Sequence, residues 1–247
     1  MSQYDEKTYG ERWAEYYDDI YSDVDTATVE FLTALAGRPP RMLELAIGTG
    51  RVALPVAQEG VKVSGIDISE DMVAKLKAKD GGEGIDVVVG DFADVGVEGT
   101  YPLVFLGFNT LFVLLTQERQ IDCFRNVADH LEPGGRFVLD TFFPDVKRWD
   151  DHNSRMEVSS ISSNEEHAYE MSIHHPIEQR SDTHVVRRLA TGETVVLPVS
   201  VRYAWPSEMD LMARLADLEL ENRWGWYDRR PFTESSGQHV SVYRKPG

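Results

Sequence analysis

A glutamate and two glycines lie close together early in the chain, in a segment that could hold a ligand. Residues 43–51 read LELAIGTGR, in which Glu44 lies at the carboxyl end of a predicted first strand and Gly48 and Gly50 are separated by one residue. Glycines in this spacing, between a strand and a helix, allow a ligand to approach the backbone closely. A carboxylate beside them would repel an anionic pyrophosphate and would hold a cationic group such as an ammonium. The segment therefore predicts a site for a ligand that carries positive charge.

A second acidic residue follows at the spacing expected for a ribose contact. Asp67 lies about 20 residues after the glycine loop, in the segment Gly65-Ile66-Asp67-Ile68-Ser69. An acidic side chain at the end of a second strand can accept hydrogen bonds from both ribose hydroxyls. Asp67 could instead cap the next helix, but Ser69 is the better cap. This residue predicts an adenosine-containing ligand without separating NAD from other such ligands.

Two later segments add to this pattern. Asp91 and Phe92 follow a third short strand, where a carboxylate beside an aromatic ring could bind the adenine amino group and cover the ring. Phe108 and Asn109 follow a fourth, apolar strand. Both segments fall at the ends of strands, which is where ligand-binding residues collect in α/β proteins.

The histidines and the later acidic residues are weaker candidates for chemistry. His174, His175 and His239 lie in segments that could face a site, but histidines there are more often surface or core residues. A hydroxyl or carbon acceptor needs a general base more often than an amine does. A group of acidic residues with one histidine matches no metal-ligand spacing, so no metal site is predicted; its members are Asp140, Asp145, Asp150, Asp151 and His152.

The elements that must position these residues alternate between strand and helix. Strand patterns cover residues 42–46, 61–68, 86–89, 103–108 and 136–142, the last after the turn Pro133-Gly134-Gly135. Helical patterns cover residues 26–35, 52–59, 72–78 and the stretch after Thr116. Such alternation predicts βαβ units, a parallel sheet and a ligand site at the carboxyl ends of its strands.

The pattern changes after residue 143. Alternating stretches at 169–174 and 195–203, with a hairpin turn at 190–193, predict an inserted antiparallel segment. Ser207 and Asp210 form a capping-box pattern for a later helix, and strands are predicted at 218–226 and 239–243. We therefore predict an α/β fold with a Rossmann-like doubly wound sheet, mostly parallel with an antiparallel last strand, and an inserted antiparallel β lobe after the fifth strand.

We expect one domain over residues 1–247. Its parts are a helical cover (1–36), a cofactor-binding core (37–143), the inserted lobe (144–204), and a C-terminal helix with the last two strands (205–247). The chain has 25 Lys and Arg against 42 Asp and Glu, a net charge of −17, which argues against nucleic-acid or anionic-membrane partners. Its one cysteine, Cys123, cannot form an internal disulfide. The absence of a signal-like start and of a long apolar run predicts a cytoplasmic protein.

In this order, the four ligand segments resemble class I S-adenosylmethionine-dependent methyltransferases of the small-molecule type. The resemblance covers residues 40–143, and the segments after Pro206 and Pro231 resemble the C-terminal part of that family. The inserted segment is similar to that of the sugar-amine N-methyltransferases and the glycine N-methyltransferase group. One departure is Ala46, where many members have a glycine.

The resemblance implies that S-adenosylmethionine is the cofactor, S-adenosylhomocysteine the product, and a nitrogen or oxygen of a small molecule the acceptor, methylated by in-line displacement. It implies that the methionine part contacts Glu44, Ala46, Gly48, Thr49, Gly50 and Arg51. It places the adenosine near Asp67, Ile68, Met72, Asp91 and Phe92, and the sulfonium near Phe108 and Asn109. Tyr17 and Tyr21 would cover the cofactor and, with His174, are the candidates for a catalytic role.

Two alternatives remain open from the sequence. An NAD(P)-dependent oxidoreductase could use the same loop, although Glu44 opposes it, and a non-catalytic relative could bind a ligand or partner through the inserted lobe. Exposed antiparallel strands pair readily with other chains, so the lobe is also a candidate homodimer interface.

Overall fold

The computed structural model describes residues 13–21, 23–94, 96–161, 167–189 and 191–247. Residues 1–12 of the predicted helical cover (1–36) therefore lie outside the described residues. The strands are β1 (Arg41–Leu45), β2 (Lys62–Asp67), β3 (Asp86–Val89), β4 (Tyr101–Leu106), β5 (Leu131–Phe142), β6 (Ser154–Ile161), β7 (His167–His175), β8 (Arg180–Arg188), β9 (Thr194–Arg202), β10 (Glu219–Trp224) and β11 (Gln238–Arg244).

The α-helices in the described part of the chain are α1 (Tyr17–Ile20), α2 (Thr26–Leu35), α3 (Ala53–Gln58), α4 (Glu70–Ala78), α5 (Gln117–His130) and α6 (Pro206–Leu215). Three of them begin where a side chain accepts a hydrogen bond from a free backbone amide. Asp25 caps α2, Ser69 caps α4 and Thr116 caps α5. These helix starts follow from the sequence because Asp, Ser and Thr satisfy the unpaired amides of a first turn.

The large sheet reverses its strand order next to β1. Seven strands run in the order β10-β11-β5-β4-β1-β2-β3, with β1 parallel to both β2 and β4. From β1 the chain builds outward to β2 and β3, and then returns to the other side for β4 and β5. The carboxyl ends of β1 and β4 therefore flank a topological switch point, where open α/β sheets bind their ligands.

The antiparallel features of the predicted fold are confirmed. The last strand, β11, lies antiparallel between β10 and β5. The chain between β5 and α6 forms a separate sheet in the order β6-β7-β8-β9, antiparallel throughout. We call this sheet the inserted lobe. No described helix is long and apolar enough to cross a membrane.

Two local predictions were wrong. Helix α6 begins at Pro206, with Trp205 as its N-cap and no side-chain capping bond, so Ser207 and Asp210 do not form a capping box. Proline fits the first helical position because its fixed φ suits a helix, and the helix therefore starts two residues earlier than the capping box predicted. The second wrong prediction is that Pro133-Gly134-Gly135 forms a turn before the fifth strand. These residues lie inside β5, where the pairing with β4 shifts register between the pairs Tyr101–Leu131 and Leu103–Arg136.

Candidate active site

The loop after β1 turns sharply away from the sheet. Ala46, Gly48 and Gly50 have φ values of 52°, 56° and 80°, in the left-handed region. A Cβ on Gly50 would lie 2.8 Å from Leu76 Cδ1 of α4, so glycine is also required there for space. Ala46 adopts a conformation that costs a non-glycine residue roughly 1–2 kcal/mol. The loop therefore keeps an open backbone beside β1 at some cost in conformational energy.

Glu44 lies at the end of β1 with an unused hydrogen-bonding atom. Its side chain is buried, and Oε2 has no hydrogen-bond partner among the described residues. Burial raises the pKa of this carboxyl well above its usual range, while Arg51 acts in the opposite direction. A buried polar atom without a partner is costly, so Glu44 is suited to a ligand that donates a hydrogen bond or carries positive charge.

Arg51 lies among aromatic rings at the mouth of the same loop. Its guanidinium carbon is 3.6 Å from the ring centre of Phe108, and 5.7 Å and 5.4 Å from those of Tyr17 and Tyr21. Its Nε is buried and has no partner among the described residues. Because it has an unused donor close to the carboxylate of Glu44, Arg51 complements that residue with the opposite charge.

Asp67 is held at the end of β2 by backbone amides. It accepts hydrogen bonds from the amides of Gly48 at 2.7 Å and Ser69 at 2.8 Å. Burial raises its pKa, although these amide hydrogen bonds favour the ionised form. Ile68 is half-buried, and Met72 is buried in an apolar cluster with Trp13, Ala14 and Leu197. Asp67 thus links the β1 and β2 ends of the site.

Three other sequence candidates make contacts within the protein. Asp91 forms an ion pair with Arg119 and accepts the Ala93 amide at 2.8 Å. Phe92 is buried in the core beneath it. The hydroxyl of Thr49 donates to Asp18 at 2.6 Å, which fastens the glycine loop to α1.

The turn after β4 is the second strained loop of the site. Phe108 and Asn109 have φ values of 58° and 64°, and two successive non-glycine residues in this region are uncommon. The Phe108 amide donates to both carboxylate oxygens of Asp140, each at 3.0 Å, and Tyr227 donates its hydroxyl to the same carboxylate. Strained turns of this kind collect at functional sites.

Asp140 and Tyr227 were missed as site residues. In the sequence, Asp140 stands out only as a member of the acidic group that matches no metal-ligand spacing. A signal did exist, because Asp140 is the one ionisable residue in the apolar run 137–142. Tyr227 lies in the connection between β10 and β11, far along the chain from β4, and gives no comparable signal.

A cavity of about 420 Å³ opens beside Arg51 and the Phe108–Asn109 turn. The core sheet contributes Asn109 and Phe142, and the N-terminal segment contributes Trp13, Tyr17 and Tyr21. The inner face of the inserted lobe closes it with Glu170, Ser172, Ser181, Thr183, Val185, Val199, Val201 and Tyr203. Three parts of the chain therefore enclose one space next to the strand ends.

None of the three candidate histidines lines this cavity. His174 lies behind Tyr203, with Nε2 2.9 Å from the tyrosine oxygen, and burial lowers its pKa. His175 pairs with Asp182 at 3.1 Å. His239 is buried between Thr141 and Ser241, and burial lowers its pKa to about 3. Among the described residues, no group of three or more acidic, histidine or cysteine side chains could hold a metal.

The fold and these contacts together define a class of protein. The switch point carries a buried acidic residue held by backbone amides, an open glycine loop, and a buried carboxylate with a free oxygen next to an arginine. This combination suits an α/β enzyme whose adenosine-containing cofactor has a positively charged, amino-acid-like end.

Comparison with known proteins specifies the class further. A family profile described as "Methyltransferase domain" matches residues 42–135. The structure of the CcbJ methyltransferase from Streptomyces caelestis is 38% identical, with a TM-score of 0.88 over 99% of this chain and 100% of that one. The cypemycin N-terminal methyltransferase of a Streptomyces species is 27% identical over 98% of this chain and 99% of its own length. SAM-bound CalS10, an amino pentose methyltransferase from Micromonospora echinaspora, shares the fold at 18% identity, with a TM-score of 0.64 over 94% and 91% of the two chains.

The chain belongs to the S-adenosylmethionine-dependent methyltransferases. The predicted enzyme class and cofactor are thereby confirmed, and the oxidoreductase alternative is not favoured. The unpartnered carboxylate of Glu44 agrees with this result, because an anionic dinucleotide would meet a buried negative charge there.

Proposed function

We propose that this methyltransferase transfers the methyl group to an amine nitrogen of a small molecule bound in the cavity beside the inserted lobe. The observation that carries the proposal is Glu170. Its half-buried carboxylate lines the cavity and has no hydrogen bond or ion pair with any described residue. An unpaired carboxylate in a partly enclosed space favours a ligand with N–H donors.

The lobe strands that line the cavity suit a ligand with hydroxyl groups as well as an amine. Ser172, Ser181 and Thr183 form a row of hydroxyls on the inner face of the lobe, with Ser172 and Thr183 2.9 Å apart. Valine side chains from β8 and β9 supply apolar surface beside them. The names of the cypemycin N-terminal methyltransferase and of CalS10 support an amine acceptor, since both denote methylation of amino compounds.

The residues present fit the cofactor at its amino-acid end. Glu44 has a free, buried acceptor oxygen and Arg51 a free, buried donor nitrogen, which match an ammonium and a carboxylate. The bound cofactor supplies a methyl group already activated by its sulfonium. We assign the cofactor contacts to Glu44, Ala46, Gly48, Thr49, Gly50, Arg51, Asp67, Ile68, Met72, Asp91, Phe92, Phe108 and Asn109.

The chain contributes mainly orientation and exclusion of water. Glu170 would accept an N–H of the acceptor amine, which fixes the direction of the nitrogen lone pair. Tyr17, Tyr21 and Phe108 would shield the reacting atoms, as their rings surround Arg51. A neutral amine is already nucleophilic, so this arrangement requires no dedicated base.

The proposal is tested by assaying S-adenosylhomocysteine release with a panel of amino sugars, amino acids and short peptides with free N-termini, against matched compounds with hydroxyl in place of amine. We expect turnover only with amines, and a product heavier by one methylene unit. Glu170→Gln should raise KM for the amine, while affinity for S-adenosylhomocysteine stays unchanged. Turnover of the hydroxyl compounds alone would overturn the proposal.

We also propose that the outer face of the inserted lobe pairs with a second copy of the chain. Large apolar side chains are exposed on this face, where an antiparallel sheet normally presents polar residues; they are Met156, Tyr169, Met171, Ile173 and Val196. The net charge of −17 opposes association of two copies, so pairing requires an apolar surface such as this face. Light scattering should report a dimer, and a Met171→Glu, Ile173→Glu double variant should be monomeric. A monomeric unmodified protein at tens of micromolar would rule out this interface.

A further inference from the structure

The Phe108–Asn109 turn is held by contacts from a different strand rather than by its own sequence. Both residues have positive φ, and neither is a glycine. The Asn109 amide donates to the backbone oxygen of Asp140 at 3.1 Å, and the side-chain oxygen of Asn109 accepts the Phe142 amide at 2.5 Å. The turn is therefore fastened to the end of β5 on both sides.

The carboxylate of Asp140 is the centre of this attachment. It is buried, and its two oxygens accept the Phe108 amide, each at 3.0 Å. A Cβ on Gly107, just before the turn, would lie 3.4 Å from Asp140 Oδ1 and only 2.5 Å from the Phe105 ring. The glycine before the turn thus leaves room for the Phe105 ring, which packs against Tyr227.

Tyr227 supplies the second donor to the same carboxylate. Its hydroxyl is 2.5 Å from Asp140 Oδ1, and its ring is buried. The ring packs edge-on against Phe31 of α2 at 5.5 Å and Phe105 of β4 at 6.4 Å. Because these contacts fix the tyrosine, the carboxylate cannot rotate away from the Phe108 amide without losing a hydrogen bond.

Phe108 and Asn109 both line the cavity proposed for the acceptor. The Phe108 ring also stacks on the guanidinium of Arg51. A shift of the turn would therefore move one wall of the acceptor cavity and the group beside the proposed amino-acid end of the cofactor.

We propose that Asp140, held by Tyr227, is a positioning residue for methyl transfer that acts through the Phe108–Asn109 turn. The inference rests on the proposed function, because the turn is useful only if the acceptor lies against it. Asp140 does not line the cavity itself. Alignment of nucleophile and methyl carbon is sensitive to small displacements, and an error of about 1 Å can cost on the order of 100-fold in rate.

The test uses Asp140→Asn and Tyr227→Phe, with Tyr243→Phe as the matched control. Tyr243 is also a buried tyrosine that donates to a carboxylate, Asp210 at 2.8 Å, but it lies away from the cavity. With the amine that is turned over best, we expect kcat to fall roughly tenfold or more in both site variants. KM for the amine and the Kd of S-adenosylhomocysteine should change less than twofold, and the control should keep its kcat.

A second readout does not depend on any acceptor. Hydrogen exchange of the Phe108 and Asn109 amides, followed by NMR, should become faster in Asp140→Asn but not in Tyr243→Phe. Unchanged exchange and unchanged kcat would overturn the proposal, as would a loss of kcat matched by an equal loss of cofactor affinity. If no amine is turned over, the proposed acceptor class fails, whereas faster exchange at these two amides would still support the role of Asp140 in holding the turn.

Discussion

Glu44 and Arg51 are an acidic and a basic residue, and each has a buried hydrogen-bonding atom without a partner among the described residues. If these two residues served only stability, we would expect their free atoms to be hydrogen-bonded within the protein, since an unpaired buried polar group is costly. Their free atoms instead suit a ligand with both an ammonium and a carboxylate. At the scale of the residue, binding of the cofactor should therefore depend on the ionisation of Glu44.

Affinity for S-adenosylhomocysteine should rise as the pH rises through the pKa of Glu44. Burial raises that pKa in the free protein, and pairing with an ammonium requires the ionised form, so binding expels a proton. Titration calorimetry across pH should show Kd falling by at most about tenfold per pH unit in this window. Glu44→Gln should flatten the slope. Glu132→Gln, at an ion pair with Arg41 on the other end of the sheet, should keep it.

Ala46 offers a test of strain in the glycine loop. Its φ of 52° favours glycine, so Ala46→Gly should raise the free energy of unfolding by about 0.5–1 kcal/mol, after allowing for the greater freedom of glycine in the unfolded chain. The control Ala74→Gly, in the middle of α4, should lower it by about 0.5–1 kcal/mol. Chemical denaturation measures both. Destabilisation by Ala46→Gly equal to that of the control would show that the loop is unstrained.

Helices and strands are also joined away from the site by side chains that the local sequence does not pair. Asp210 of α6 has the spacing of a cap, yet it bonds Arg223 of β10 and the hydroxyl of Tyr243 of β11. This contact joins the C-terminal helix to the antiparallel edge of the sheet. The apparent capping partner, Ser207, is exposed.

Two substitutions in α6 should therefore differ in effect. Asp210→Asn should lower the free energy of unfolding by about 1–2 kcal/mol, because charge-assisted hydrogen bonds to Arg223 and Tyr243 are weakened. Ser207→Ala should change it by less than about 0.5 kcal/mol, since no capping bond is lost. Thermal denaturation compares the two. A larger loss of stability in Ser207→Ala than in Asp210→Asn would show that Ser207 does cap the helix.

At the scale of the whole molecule, the cavity exists only because three parts of the chain meet. Gln120 of α5 is fully buried, donates to the backbone oxygen of Arg202 at 2.7 Å, and accepts from the Arg202 guanidinium at 2.7 Å. Trp13 donates to the backbone oxygen of Pro198 in β9 at 3.1 Å. These contacts attach the inserted lobe to the core and to the N-terminal segment.

Gln120→Met should loosen the lobe without disturbing the core sheet. Methionine has a similar size but removes the hydrogen bonds that Gln120 makes to the backbone oxygen and the guanidinium of Arg202, which should cost about 1–3 kcal/mol, although Arg202 keeps its ion pair with Glu208. Hydrogen exchange in β9 should rise while exchange in β1 and β4 stays unchanged. KM for the amine acceptor should increase, whereas Gln58→Met on the exposed side of α3 should alter neither quantity. If the β9 amides are equally protected from hydrogen exchange in Gln120→Met and Gln58→Met, Gln120 does not hold the lobe in place.

The order of elements and the cofactor half of the site could be predicted from the sequence, because both depend on short-range patterns. Alternating periods determine strands and helices, caps such as Ser69 and Thr116 determine helix starts, and parallel strands bring their carboxyl ends to one edge. Glu44, Asp67 and Phe108 could therefore be named before the fold was known. Ala46 could be named as well, but not its left-handed backbone.

The contacts between distant segments were decided only by the tertiary structure. Asp140 and Tyr227 are 87 positions apart, and the aspartate meets Phe108 from a neighbouring strand. His174 contacts Tyr203 rather than the cavity, whereas Glu170, which no sequence motif singles out, lines the cavity. A residue's type determines which hydrogen bonds it can make, but burial and long-range packing determine which partners remain for it. That is why the sequence by itself determined the class of fold and cofactor, while the cavity beside Arg51 and the support of its strained turn emerged only from the folded chain.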